Sequence, residues 1–176
     1  VDTWVAERSL AMLRQHAEAQ PERPFLMWTS FPKPHSPYDP PEPYHRLYDP
    51  REVPPPVGHP DLLADRSPTI LRTRLAHGVD LWSPEMIQVA RAYYFGLVSY
   101  QDELVGRLLN ALEELGLREN TIVIYTCDHG DLLGDFGGFY KGNMLNGSIR
   151  IPFLVSAPGF VRSNVKSNEL VGLQDI

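Results

Sequence analysis

Apolar residues recur at helical spacing in two stretches of the chain. The first stretch covers residues 3–19 and is ended by Pro21. The second opens with Ser83 as a helix cap and Pro84 in the first turn, and Gly116 follows its end. Its stripe comprises Met86, Ala90, Tyr93, Leu97, Leu104, Leu108, Leu112 and Leu115. Such stripes pack against a core, so two structural helices are predicted, at 3–19 and 84–115.

Short apolar runs predict buried strands at residues 24–30, 121–127 and 151–156. Strand, helix, strand, loop and strand in that order are typical of an α/β domain with a parallel sheet. We therefore expect the three strands to be parallel and the helix at 84–115 to pack on one face of the sheet.

Prolines recur throughout residues 32–67, the proline-rich loop, with Tyr38, Tyr44 and Tyr48 among them. The missing N–H groups exclude a central strand or a helix interior. The tyrosines favour an ordered loop packed on the body of the protein. A proline-rich recognition ligand is the alternative, but no repeated P-x-x-P pattern with basic flanks supports it.

The composition, 43% hydrophobic and 22% charged, fits a globular protein. A net charge of −6 argues against a nucleic-acid partner. No membrane partner is expected, because the apolar runs are far shorter than the roughly 20 residues that cross a bilayer. Cys127 is the single cysteine and is interpreted as a packed core thiol.

Asp128 and His129 stand side by side where the strand at 121–127 ends. In α/β sheets, ligands bind beyond the carboxyl ends of strands. A carboxylate and an imidazole are both ligands for divalent cations, and Gly130 permits a sharp backbone turn there. The alternative is an aspartate that caps the next turn beside an incidental histidine.

Two further residues extend this candidate site. His35 follows the run at 24–30, and Lys141 lies in a glycine-rich segment, residues 130–147. Taken singly, a histidine is more often structural and a lysine is usually a solvated side chain. Near a divalent cation, however, an imidazole and an ammonium group make a pocket for a tetrahedral dianion.

Four stretches of the chain together resemble a known family: "PFLMWTSFPKPHSPYDPPEPYHRLYDP", "DELVGRLLNALEELGLRENTIVIYTCDHGDLLGDFG", "KGNMLNGSIRIPFLVSAPG" and "VGLQDI". Their order and spacing resemble the sulfatases of the alkaline-phosphatase superfamily. The resemblance implies an α/β fold with a mostly parallel sheet flanked by helices. Residues 1–176 would form a partial sulfatase catalytic domain, with the proline-rich loop as an active-site loop.

The resemblance also implies roles for the candidate residues. Asp128 and His129 would bind the active-site divalent metal, which is calcium or else manganese or magnesium. His35 would contact the sulfate and the leaving-group oxygen, and Lys141 would neutralise the sulfate. The partner implied is a small-molecule or carbohydrate sulfate ester.

The sequence departs from the family pattern in several places. It contains no C-x-[PA]-S-R motif for the formylglycine nucleophile and no counterpart of the family's other metal-binding aspartates. We expect both upstream of this chain, which would then be an internal piece of a larger enzyme and inactive alone. Phe136 stands where a histidine is more usual, which puts a substrate-side contact in doubt.

The activity implied for the intact enzyme is hydrolysis of a sulfate ester. The adjacent Asp128 and His129 look more like bacterial sulfatases and the related phosphonate monoester and phosphodiester hydrolases, so such a hydrolase is the second hypothesis. A non-catalytic binding domain with a relic pocket is the third, and an unmodifiable residue at the nucleophile position would favour it.

Overall fold

Helices account for most of the regular structure. The computed structural model describes residues 1–59, 62 and 68–176. Its helices are α1 (Asp2–Ala19), α2 (Pro68–Ala76), α3 (Pro84–Glu114) and α4 (Asn146–Ile149), and its strands are β1 (Val123–Thr126) and β2 (Phe153–Ser156). Short 3-10 turns lie at Tyr44–Arg46, Val79–Leu81, Arg118–Asn120, Asp135–Gly137 and Leu173–Asp175.

Both predicted helices are confirmed as α1 and α3. The Ser83 hydroxyl accepts a hydrogen bond from the Met86 amide at 3.3 Å, and Pro84 fills the first turn of α3. The two helices pack against each other. Their almost fully buried apolar side chains include Ala6, Leu10, Leu13, Leu97 and Leu104. No helix in the described part of the chain is long and apolar enough to cross a membrane.

The strand pair corrects the predicted sheet. β1 and β2 pair antiparallel, with Val123 opposite Ser156 and Thr126 opposite Phe153. The prediction that these strands are parallel is therefore wrong. A parallel connection needs a crossover, usually a helix lying on the sheet. Between β1 and β2 the structure has only the 3-10 turn Asp135–Gly137 and the four-residue helix α4, and β2 runs back alongside β1.

The predicted strand at 24–30 is also wrong. This segment forms no strand, and the side chains of Leu26 and Trp28 are 96% and 82% exposed. A strand is stabilised by pairing its backbone N–H and C=O groups with a neighbour. Among the described residues, only β1 and β2 make such a pairing. An apolar run therefore predicts a strand only where a partner is available.

Residues 32–59 of the proline-rich loop contain one 3-10 turn and neither strand nor α-helix, and Leu62, the other described residue of the loop, is helical. Positions 60, 61 and 63–67 of that prediction lie outside the described residues. The start of the loop is bonded to the buried carboxylate of Asp2. Its Oδ1 atom accepts hydrogen bonds from the Lys33 amide at 3.0 Å and from Gln101 Nε2 at 2.9 Å. Farther along, Arg91 Nε donates to the Pro54 carbonyl at 2.8 Å. The loop is thus fixed to α1 and α3.

A small apolar core joins this loop to the glycine-rich segment. Val79, Leu133 and Phe139 are buried together, and the partly buried side chains of Tyr38, Trp82, Ile87, Ala90, Tyr94 and Tyr140 pack against them. Tyr38 is close in sequence to His35, and Tyr140 precedes Lys141. The core therefore holds together the two segments that carry these candidate residues.

Candidate active site

The backbone directly after β1 is fixed by a close approach of two chain segments. The Gly130 amide donates to the Ser148 carbonyl at 2.8 Å. A Cβ atom at position 130 would lie 2.1 Å from the Gly147 carbonyl oxygen, so only glycine fits without a shift of the backbone. This contact sets the direction in which Asp128 and His129 leave the strand.

His129 presents one ring nitrogen toward Asp128. Its Nδ1 donates to the Gly130 carbonyl at 2.8 Å, which leaves the lone pair on Nε2. Nε2 lies 3.7 Å from Asp128 Oδ2, and the Asp128 side chain is 83% exposed. Because metal–ligand distances are about 2.0–2.6 Å, one divalent ion can reach both atoms.

His35 and Lys141 meet beside this pair although they are 106 positions apart. His35 Nδ1 donates to the Ser36 carbonyl at 2.8 Å, so Nε2 carries the lone pair and accepts a hydrogen bond from Lys141 Nζ. The His35 ring packs edge-on against the His129 ring, with centroids 5.8 Å apart. The structure therefore brings all four predicted residues together at an exposed surface.

The donors at this surface fit a divalent ion in kind but not in number. A carboxylate oxygen and an imidazole nitrogen suit such ions. Across residues 1–59, 62 and 68–176, however, no group of three or more His, Cys, Asp or Glu side chains could hold a metal ion. Asp128 and His129 supply part of a coordination shell.

Sequence reasoning missed Asp131 and Tyr38. Asp131 Oδ1 accepts from the amides of Leu133 at 3.0 Å and Tyr140 at 2.8 Å, and Oδ2 accepts from the Tyr38 hydroxyl at 2.7 Å. Burial, and then the charge of Asp131, raise the pKa of Tyr38 far above its ordinary value, so this hydroxyl remains a donor. An aspartate before a glycine-containing turn signals a local backbone bond. Nothing local signals its tyrosine partner 93 positions away.

Cys127, the single cysteine, and Phe136, which stands where a histidine is more usual in the family pattern, are both partly buried. Burial and the neighbouring Asp128 raise the pKa of the Cys127 thiol, which disfavours the thiolate. Phe136 has a φ of 54°, and its ring lies so close to Gly58 that a Cβ there would be 2.3 Å from ring carbon Cε1. Phe136 thus packs on the proline-rich loop.

Comparison with known proteins gives a consistent set of relatives. The family model described as Sulfatase matches residues 2–176. An arylsulfatase of Clostridium perfringens is 34% identical over 177 residues, which is 98% of this chain and 36% of the relative. A choline-sulfatase of Rhizobium meliloti is 31% identical over 160 residues, which is 89% of this chain and 31% of the relative.

Solved structures agree with the sequence matches. The phosphonate monoester hydrolase of Agrobacterium radiobacter superposes with a TM-score of 0.67 at 25% identity, over 86% of this chain and 33% of that one. The expected alkaline-phosphatase-like α/β class, present as a partial domain, is therefore confirmed. The chain spans roughly a third of the length of these relatives.

Proposed function

The chain belongs to the sulfatase family, and on that premise we propose that its site takes part in the hydrolysis of a sulfate ester. The observation that carries the proposal is the meeting of His35 and Lys141 beside Asp128 and His129. An ammonium group and an imidazole next to two metal-binding donors suit a tetrahedral anion that develops charge as its ester bond breaks.

Each side chain has a distinct part in this proposal. The Lys141 ammonium binds the sulfate oxygens and offsets their negative charge. His35 first takes up a proton from water at Nε2, in place of the bond that it accepts from Lys141, and then gives that proton to the departing oxygen, while its Nδ1 stays bonded to the Ser36 carbonyl and keeps the ring oriented. Both groups act on the same anion because they already contact each other.

Asp128 and His129 would contribute two ligands to a divalent ion, which when bound polarises the ester oxygens. Calcium is the ion implied by the family resemblance, and it takes six to eight ligands, mostly oxygens. Manganese is the alternative that the His129 nitrogen favours. The formylglycine nucleophile has no counterpart among residues 1–176, so we expect these residues alone to be inactive.

A phosphonate monoester or phosphodiester hydrolase is the second candidate. It is favoured by the likeness to the Agrobacterium radiobacter enzyme and by the adjacent Asp128 and His129. The same four side chains would then act on a phosphorus-centred anion instead of a sulfur-centred one. A binding domain without catalysis is the third candidate.

The test uses the protein produced from its complete gene, with p-nitrophenyl sulfate and p-nitrophenyl phenylphosphonate as substrates. We expect the higher kcat/KM with the sulfate ester. Preference for the phosphonate ester would establish the second candidate, and turnover of neither would favour the binding domain.

Metal dependence is tested in the same protein with Asp128→Ala. Calcium or manganese should restore activity to the chelated wild type but not to this variant, because one ligand is missing. Asp80→Ala, which removes another exposed carboxylate, is the matched control and should behave as wild type. Equal restoration of both variants would contradict the role proposed for Asp128.

A further inference from the structure

We propose that Asp131 is a positioning residue that holds His35 and Lys141 in a fixed relation to each other. The kinetic part of this inference rests on the proposed function, whereas the geometric part does not. Asp131 lies two residues beyond His129, and its carboxylate contacts both the residue before Lys141 and the proline-rich loop that carries His35.

The contact toward Lys141 runs through the backbone. Asp131 Oδ1 accepts the Tyr140 amide at 2.8 Å, and the Leu132 amide donates to the Tyr140 carbonyl at 3.0 Å. These bonds close the part of the glycine-rich segment between residues 131 and 140. Lys141 is the next residue, so its side chain starts from a point that Asp131 fixes.

The contact toward His35 runs through a side chain. Asp131 Oδ2 accepts from the Tyr38 hydroxyl at 2.7 Å. The Tyr38 ring also packs against Phe139 and Tyr140, with centroids 6.3 and 6.4 Å away. Tyr38 stands three positions after His35 in the proline-rich loop, so Asp131 fixes that loop against the glycine-rich segment.

One carboxylate thus joins two segments that are far apart in sequence, the glycine-rich segment and the proline-rich loop. Two polar atoms are required at the end of this side chain, because Oδ1 serves the glycine-rich segment and Oδ2 serves the proline-rich loop. Asparagine preserves this connectivity, since its carbonyl oxygen accepts the two amides and its NH₂ group donates to the Tyr38 oxygen. Alanine preserves none of it.

The kinetic test compares Asp131→Ala, Asp131→Asn and Asp135→Ala in the protein from the complete gene, with p-nitrophenyl sulfate as substrate. Asp131→Ala should lower kcat/KM about 100-fold, the cost of misplacing reacting groups by about 1 Å. KM should rise as well as kcat fall, because Lys141 contributes to binding. Asp131→Asn should recover most of the loss.

Asp135→Ala is the control for stability. Asp135 Oδ1 accepts from the Val57 amide at 3.0 Å and pairs with Arg91, so it also joins the glycine-rich segment to the proline-rich loop, but at Val57 instead of Tyr38. It should destabilise the protein while leaving KM unchanged. If Asp131→Ala likewise loses stability without any change in KM, the proposal is overturned.

A second measurement does not depend on activity. The ring Cε1–H signal of His35, assigned with His35→Gln, should shift when Lys141→Met removes the ammonium group beside it. In the Asp131→Ala variant, Lys141 should no longer be held beside His35, so adding Lys141→Met should not shift the His35 signal. A shift as large as that in wild type would overturn the proposal.

These arms separate the inference from the proposed function. If the wild type hydrolyses no sulfate ester, the proposed function fails, and the His35 signal still decides the role of Asp131.

If Asp131→Ala does not fold, the variant Tyr38→Phe tests the same inference, since it removes only the hydrogen bond that leads from Asp131 toward His35. Tyr38→Phe should move the His35 signal, while Tyr48→Phe, which loses a hydroxyl bonded to Ser99 at 2.8 Å, should not. Equal signals in the two variants would overturn the inference.

Discussion

Helices α1 and α3 meet through side chains removed from water, whereas the candidate site is built on loops at the surface. Leu97 and Leu104 are 0% and 1% exposed, but the Asp128 side chain is 83% exposed. The helical pair gains stability from apolar burial, whereas the loops gain their geometry from a small apolar core and from specific hydrogen bonds. Loops held on a rigid scaffold carry function in many folds. Stability and chemistry should therefore respond to different substitutions.

The largest effect on stability is expected at Leu104. Leu104→Ala should lower the free energy of unfolding by about 2–5 kcal/mol, because it leaves a cavity at a fully buried position of α3. Urea denaturation measures this loss, and kcat of the folded fraction should not change. Val98→Ala on the same helix is the control, because Val98 is 43% exposed and its loss should cost well under 1 kcal/mol.

The reverse pattern is expected at Lys141. Lys141→Ala should lower kcat/KM for a sulfate ester by about 10²–10³-fold, as removal of one charge-stabilising donor does in other enzymes. The free energy of unfolding should change by no more than about 0.5 kcal/mol, since the side chain lies at the surface. The exposed Lys166→Ala is the matched control and should retain full activity. Equal activity of the two variants would contradict the role proposed for Lys141.

The same division explains what the sequence could predict. The signals for α3 are local: a serine cap, a first-turn proline and an apolar stripe define it to within a residue of its end. Strand pairing is not local. The run at 24–30 has the composition of a strand, yet nothing within it shows whether a partner lies alongside. The antiparallel direction of β1 and β2 likewise depends on how the segment between them turns.

For the candidate site, residue chemistry identified Asp128 and His129 as possible ligands, and the family resemblance supplied roles for His35 and Lys141. Their meeting in the structure follows from contacts that no local pattern encodes. The hydrogen bond from Tyr38 to Asp131 joins residues 93 positions apart. The close approach of Gly130 to Gly147 is a contact between backbone atoms, which no side-chain pattern signals. Such contacts are visible only once the chain is folded.

Gly130 offers a way to break the separation between stability and chemistry. Gly130→Ala places a methyl group against the Gly147 carbonyl, and we expect a loss of about 1–3 kcal/mol in the free energy of unfolding. Activity should fall too, because His129 is the preceding residue. Gly106→Ala is the control: it lies inside α3 with open space around its Cβ position, so it should stabilise the protein by about 0.5–1 kcal/mol. A neutral Gly130→Ala would show that the loop adapts freely.

The smallest effect is expected at the start of α3. Ser83→Ala removes the oxygen that accepts the Met86 amide, and loss of a helix cap costs about 1 kcal/mol. Ser83→Asp keeps an acceptor at the same place and adds a negative charge near the helix N-terminus, so it should restore the lost stability. Neither variant should change KM, because the bond that Ser83 makes lies within the first turn of α3. A rise in KM with Ser83→Ala would mean that the start of α3 is coupled to the site. The first turn of α3 would then affect substrate binding as well as stability, contrary to the division between scaffold and loops.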